Sequence, residues 1–119
     1  MPAVHLIITL YSENPAEQFN SLLRGIFPAC ATCNEPGWEV FAPAPGVLLQ
    51  VCSPGAQPPA FITAAKQPVI SYRVDDLSQV IEQATAKGAI ILLQWADGCT
   101  GFTFCYLRFA GNEVVGFFE

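Results

Sequence analysis

Apolar and polar positions alternate with a period of two from Val4 to Tyr11. Val4, Leu6, Ile8 and Leu10 are interleaved with His5, Ile7, Thr9 and Tyr11, which predicts a strand. The spacing then turns helical, with Phe19, Leu22, Leu23 and Ile26 on one stripe. Asn14, Pro15 and Glu17 supply entry signals for that helix. Gly25 is placed for a left-handed stop, and Pro28 ends any continuation. Ala29–Pro36 reads as a loop. Trp38–Ala42 and Val47–Cys52 read as strands around a Pro43–Gly46 turn.

The second half shows the same order more clearly. Pro68–Val74 has strand character. Asp75 and Asp76 open a helix with Leu77, Val80, Ile81 and Ala84 at helical spacing, and Lys87-Gly88 closes it. Three strands follow, Ala89–Trp95, Phe102–Phe109 and Glu113–Phe118, with Asp97-Gly98 and Gly111-Asn112 as turns. The two runs are offset by about 64 residues. They predict an α+β fold of two βαβββ modules, residues 1–55 and 68–119, joined by a linker at 56–67. Four prolines and a glycine punctuate Ser53–Pro68, around that linker.

Composition narrows the function classes. Charged residues are 13% and hydrophobic residues 52% of the 119-residue chain, enough for a sizeable core. So few charges suggest that apolar surface is covered by self-association. The net charge is −5 with five basic residues and no basic cluster, which argues against nucleic acid as a partner. No apolar run approaches the roughly 18 residues that span a bilayer. The odd cysteine count, five, has no framework spacing, and a reduced, cytoplasmic protein is expected. An apolar or cationic organic molecule suits this charge better than an anion.

Tyr72-Arg73-Val74-Asp75-Asp76-Leu77, the helix ending Ala86-Lys87-Gly88-Ala89, and the closing Gly101–Glu119 hairpin resemble the vicinal oxygen chelate superfamily. That superfamily includes glyoxalase I, bleomycin-resistance proteins and extradiol dioxygenases. Arg108-Phe-Ala-Gly-Asn112 stands where the superfamily usually has an acidic turn. The resemblance implies mixed sheets curled around a cleft and, because many members pair such units within or between chains, a homodimer; metal-dependent members carry ligands on four strands. His5 matches the first ligand position, and Gln50 stands at the second, commonly Glu. Val69 or Pro68 stands at the third, commonly His, and Val115 or Gly116 at the fourth, commonly Glu. One imidazole and one neutral amide fall short of the three or more ligands a catalytic ion needs. The expectation is therefore a binding protein with no metal, cofactor or catalytic residue, similar to the drug-sequestering bleomycin-resistance members. The alternatives are a glyoxalase-type lyase, isomerase or dioxygenase with a degenerate site, and a protein-interaction module.

The candidate ligand-binding residues are His5, Trp38, Gln50, Ser71, Phe102, Phe104 and Tyr106. The tryptophan and the aromatic set of the Phe102–Phe109 strand can stack on a flat ligand. His5, Gln50 and Ser71 supply the few polar groups an apolar cavity uses. Cys30-x-x-Cys33 has neither a second cysteine pair for zinc nor the strand-to-helix placement of a redox motif. Cys52, Cys99 and Cys105 read as small apolar residues.

Overall fold

The structure, a computed structural model, describes residues 3–12, 16–27, 29–31, 37–53, 59–63, 67–97 and 100–119, leaving aside the side chains of 16–20 and 29–31. The first half contains β1 (Leu6–Tyr11), α1 (Ala16–Ile26), β2 (Ala29–Ala31), β3 (Trp38–Ala44) and β4 (Val47–Cys52). After α2 (Ala60–Thr63), the second half contains β5 (Val69–Arg73), α3 (Leu77–Ala86), β6 (Ile90–Ala96), β7 (Thr103–Arg108) and β8 (Val114–Phe118). The strands form one mixed sheet in the order β2-β3-β4-β1-β5-β8-β7-β6. The first strand of each half lies at the centre, and β2 and β6 are the edges. The result is an α+β fold with one open sheet.

The halves meet where β1 pairs antiparallel with β5. Ile7 lies opposite Ser71, which is 71 − 7 = 64 residues further on, so the seam is centred on equivalent positions of the two runs. Each half also pairs its first and last strands in parallel. The β1–β4 ladder extends from Leu6↔Val47 to Tyr11↔Cys52. The β5–β8 ladder is half as long and starts only at Ser71↔Gly116.

Strand alternation gives the sheet two buried faces. On one, Leu23 of α1 packs on Phe41 and Val51, and Leu77 and Ala84 of α3 pack with Cys105 and Leu107. On the other, Ile7, Val69, Phe104, Tyr106 and Phe118 form a cluster. Phe61 and Ile62 of α2 pack on this second face. Among the described residues, no helix is long and apolar enough to cross a membrane.

α3 follows its sequence signals. Asp76 is the N-cap and accepts a hydrogen bond from the Gln79 amide at 3.1 Å. The Glu119 carboxylate accepts from the Leu77 amide at 2.8 Å, so the end of β8 is tied to the first turn of α3. The Gly111-Asn112 turn has φ of 84° and 63°, the paired left-handed conformation that a tight hairpin requires.

Four expectations change. Ala29–Ala31 is strand rather than loop, because its backbone pairs with β3. Gly25 does not stop α1, which continues through it to Ile26. The α1 stripe is split: Leu23 is buried, whereas Leu22 and Ile26 are 59% and 58% exposed. The stretch 56–67 is not wholly linker, because Ala60–Thr63 forms a helical turn on the Pro59 carbonyl. The proposed cap Asn14 and the first-position Pro15 lie outside the described residues.

Gly116 sits between Ser71 and Tyr106 in adjacent strands. A Cβ added there would collide with Ser71 Oγ and come within 3.0 Å of the Tyr106 ring. Gly116→Ala is expected to destabilise the fold by about 1–3 kcal/mol through overpacking. A Ser71→Gly background should recover part of that loss, and urea unfolding of the two single variants and the double variant measures the coupling.

Candidate functional site

The α2 face of the sheet carries most of the sequence candidates, and its chemistry follows from register. Thr9 lies beside Gln50 in the β1–β4 ladder. The Thr9 hydroxyl donates to Gln50 Oε1 at 3.2 Å, and Gln50 Nε2 donates to Asp97 Oδ2 at 2.8 Å. Thr100 Oγ1 donates to the same carboxylate oxygen at 2.7 Å. Thr9, Gln50 and Asp97 are all buried, so this chain satisfies groups that would otherwise be costly to enclose. Asp97, read from sequence as a turn residue, thus holds a polar network between the halves.

Ser71 and Tyr106 lie next to this network. Both are fully buried, and neither Ser71 Oγ nor Tyr106 OH has a partner in hydrogen-bonding geometry. Burial pushes the Tyr106 phenol up to about 12, against a smaller lowering pull from the neighbouring Thr9 and Ser71 hydroxyls. Burial likewise pushes the Cys52 thiol up to about 11 and raises that of Cys105. Neither thiol is poised as a nucleophile at neutral pH.

An aromatic row crosses the same face. The Trp38 and Trp95 ring centroids are 5.7 Å apart, and Trp95 and Phe104 are 6.0 Å apart. Phe104 is stacked on Tyr106 at 5.8 Å, and Phe102 lies 4.9 Å from Phe118. Phe61 of α2 covers Tyr106 at 5.1 Å. The structure therefore brings Trp38, Gln50, Ser71, Phe104 and Tyr106 together inside a packed layer. Phe102 is half-buried at its margin, with the Arg73 guanidinium 5.4 Å from the ring centroid. His5 stands apart and exposed at the start of β1. Its ring lies against Gly46, so that a Cβ on Gly46 would strike it.

The ligand positions implied by the resemblance do not fit a divalent ion. The Gln50 amide already accepts from Thr9 and donates to Asp97. Val69 is buried and apolar, and Gly116 has no side chain. Among the described residues, no group of three or more His, Cys, Asp or Glu converges. Cys30 lies on β2 with its side chain undescribed, and Cys33 and Cys99 lie outside the described residues.

A cleft of about 870 Å³ opens elsewhere, at the N-terminal ends of β5 and β8. Phe61, Val69, Ile70, Leu92, Val114 and Val115 give it apolar walls, and Arg108, Asn112 and Glu113 bring polar groups. None of the seven sequence candidates lines it. The local sequence carries no signal for this cleft, because it depends on where the β5–β8 ladder stops. The aromatic row is filled by its own rings, whereas this cleft is open space.

Comparison with known proteins places the fold. No family model matches the chain, and no curated protein matches it in sequence. Among solved structures, it is similar to a glyoxalase/bleomycin resistance protein/dioxygenase superfamily member from Vibrio splendidus 12B01. The TM-score is 0.65 at 8% identity, with 98% of each chain covered. Methylmalonyl-CoA epimerase from Mycobacterium tuberculosis superimposes with a TM-score of 0.62 at 12% identity, over 99% of this chain and 87% of that one. The Streptomyces coelicolor epimerase in complex with 2-nitronate-propionyl-CoA gives 0.60 at 14% identity, over 99% and 96%. At these identities the likeness shows the fold, which is that of the vicinal oxygen chelate proteins.

The unpartnered Tyr106 hydroxyl gives a sign-specific test. Its folded value lies above the ordinary 10.0 of the phenol. The protonated form is thus favoured in the fold, and its stabilising share is complete below pH 10 and is lost as pH rises towards 12. Tyr106→Phe should remove that part of the alkaline loss. It should leave stability at neutral pH unchanged or raise it by up to about 1 kcal/mol, since no hydrogen bond is given up. Thr9→Val should instead cost about 1–2 kcal/mol by leaving Gln50 short of a donor. Urea unfolding across alkaline pH measures all three.

Proposed function

We propose that this chain binds a small, largely apolar organic molecule without a metal ion and holds it rather than converting it. The observation that carries the reading is the cleft of about 870 Å³ with apolar walls and a few polar groups, a volume within the range of small-molecule sites. The donor set supports metal independence, because beside His5 the implied ligand positions hold an occupied amide, Val69 or Pro68, and Val115 or Gly116. The solved glyoxalase/bleomycin resistance protein/dioxygenase relative supports the fold-level side of the reading. Function on a shared fold is decided by the site, and this site offers walls and hydrogen-bonding groups rather than an activated nucleophile.

A homodimer in the reducing cytoplasm completes the proposal. Leu22, Ile26, Ile90 and Ile91 are large apolar residues at 40–59% exposure, and a second copy would remove such surface from water. The buried free thiols Cys52 and Cys105 suit a compartment that keeps them reduced.

Nile red, a neutral apolar dye, tests the cleft. It should brighten on the parent protein and bind about tenfold or more weakly to Leu92→Trp, whose ring would occupy the cleft. The melting temperature of the variant serves as the folding control. Equal binding by parent and folded variant would remove the cleft from the site.

A further inference from the structure

We propose that the cleft selects ligands that carry a carboxylate on an apolar body, with Arg108 as the anion-binding residue. This inference rests on the cleft being the binding site. The overall charge of −5 favours cations at long range, but the groups at the cleft decide which end of a ligand is held.

The register explains how Arg108 comes to face the opening. Arg108 lies opposite Val114 in the β7–β8 ladder. The Phe109 amide donates to the Glu113 carbonyl at 2.8 Å, so bonding pairs fall on the odd-numbered residues of β8 there. Antiparallel alternation then turns the Val114 N–H and C=O away from β7 and towards β5. The β5–β8 ladder starts only at Ser71↔Gly116, so the Val114 backbone groups face the gap between the strands. Side-chain alternation puts Arg108 on the same face as Val114 and sends Glu113 and Val115 to the other. Arg108 and the Val114 backbone therefore lie on one face of the β7–β8 ladder at the cleft, and Glu113, which also lines it, projects from the other.

Arg108 is also free to act. Among the described residues it is exposed and forms no ion pair. Arg24 is paired with Glu39, and Arg73 donates to the Val4 carbonyl and lies over Phe102. The planar fork of an arginine matches a carboxylate in two parallel hydrogen bonds. Leu92, Val69 and Ile70 supply apolar wall for the remainder of the ligand.

The test uses three probes with one body: phenylbutyrate, phenylbutanol and phenylbutylamine, titrated calorimetrically into the intact protein at neutral pH and low salt. Phenylbutyrate should bind about tenfold tighter than phenylbutanol, the gain of one charge-assisted contact. Added salt should shrink that preference. Arg108→Gln should abolish it while leaving phenylbutanol affinity within about twofold. Equal binding of acid and alcohol by the parent would overturn the carboxylate inference and leave the cleft standing. Tightest binding by the amine, or an acid preference that survives Arg108→Gln, would overturn it as well. Failure of all three probes, or unchanged binding of all three by folded Leu92→Trp, would overturn the cleft reading and this inference with it.

Discussion

Four antiparallel residue pairs, Leu6↔Tyr72 to Thr9↔Val69, hold the two halves of the sheet together, and the rest of the structure depends on them. They set which side chains meet on the α2 face. Thr9 reaches Gln50 on one side of the seam while Ser71 and Gly116 lie on the other. Register in a sheet with two buried faces is strongly specified, because a slip of one residue would exchange them. Here a slip would bring Ile8 and Ile70 to the face now held by Ile7 and Ser71. The Gln50–Asp97 bond spans 47 residues of sequence and adds a buried, directional contact that only one register satisfies.

The two halves use one element order to different ends. In the first, β1 and β4 are zipped along their whole length. In the second, the corresponding ladder is cut short at its N-terminal end, and the cleft lies at the cut. Interior packing and open space are thus separated along the same pair of strands. The aromatic row fills the face near Ser71 and Gly116, and the opening begins a residue or two earlier. An opening of this kind needs no cavity in the core, so the core can be packed tightly throughout.

Much of the architecture was legible in the sequence. Strands β1, β4, β5, β7 and β8 were readable from apolar runs, and α3 from Asp76 and Lys87-Gly88, because those signals are local. β2 was not, since Ala29–Ala31 has little strand character and is held by pairing with β3. Helix α2 was hidden among prolines. The candidate site was legible only in part. The aromatic set and Gln50 were found, and they do share a face. Their burial under Phe61 and Ile62 was not readable, because it depends on a helix far away in sequence. Asp97 was read for its place in a turn, although its carboxylate is enclosed with a residue from the other half. Arg108 and the cleft depend on the length of one ladder, which no local pattern encodes.

The glycine at 116 also bears on how such a chain could change over generations. In the resemblance drawn above, one of the two candidate places for the fourth metal-binding carboxylate is this position, where a side chain would strike Ser71 and crowd the Tyr106 ring. A carboxylate introduced there in one step would meet that collision before it met any ion. Ser71 and Tyr106 would have to shrink first, and each such change alone would open a void in the packed face. The order of substitutions therefore matters, and the short single-step paths pass through less stable intermediates. Tight packing around one missing side chain makes the present state easy to keep and a metal-binding state at that position hard to reach.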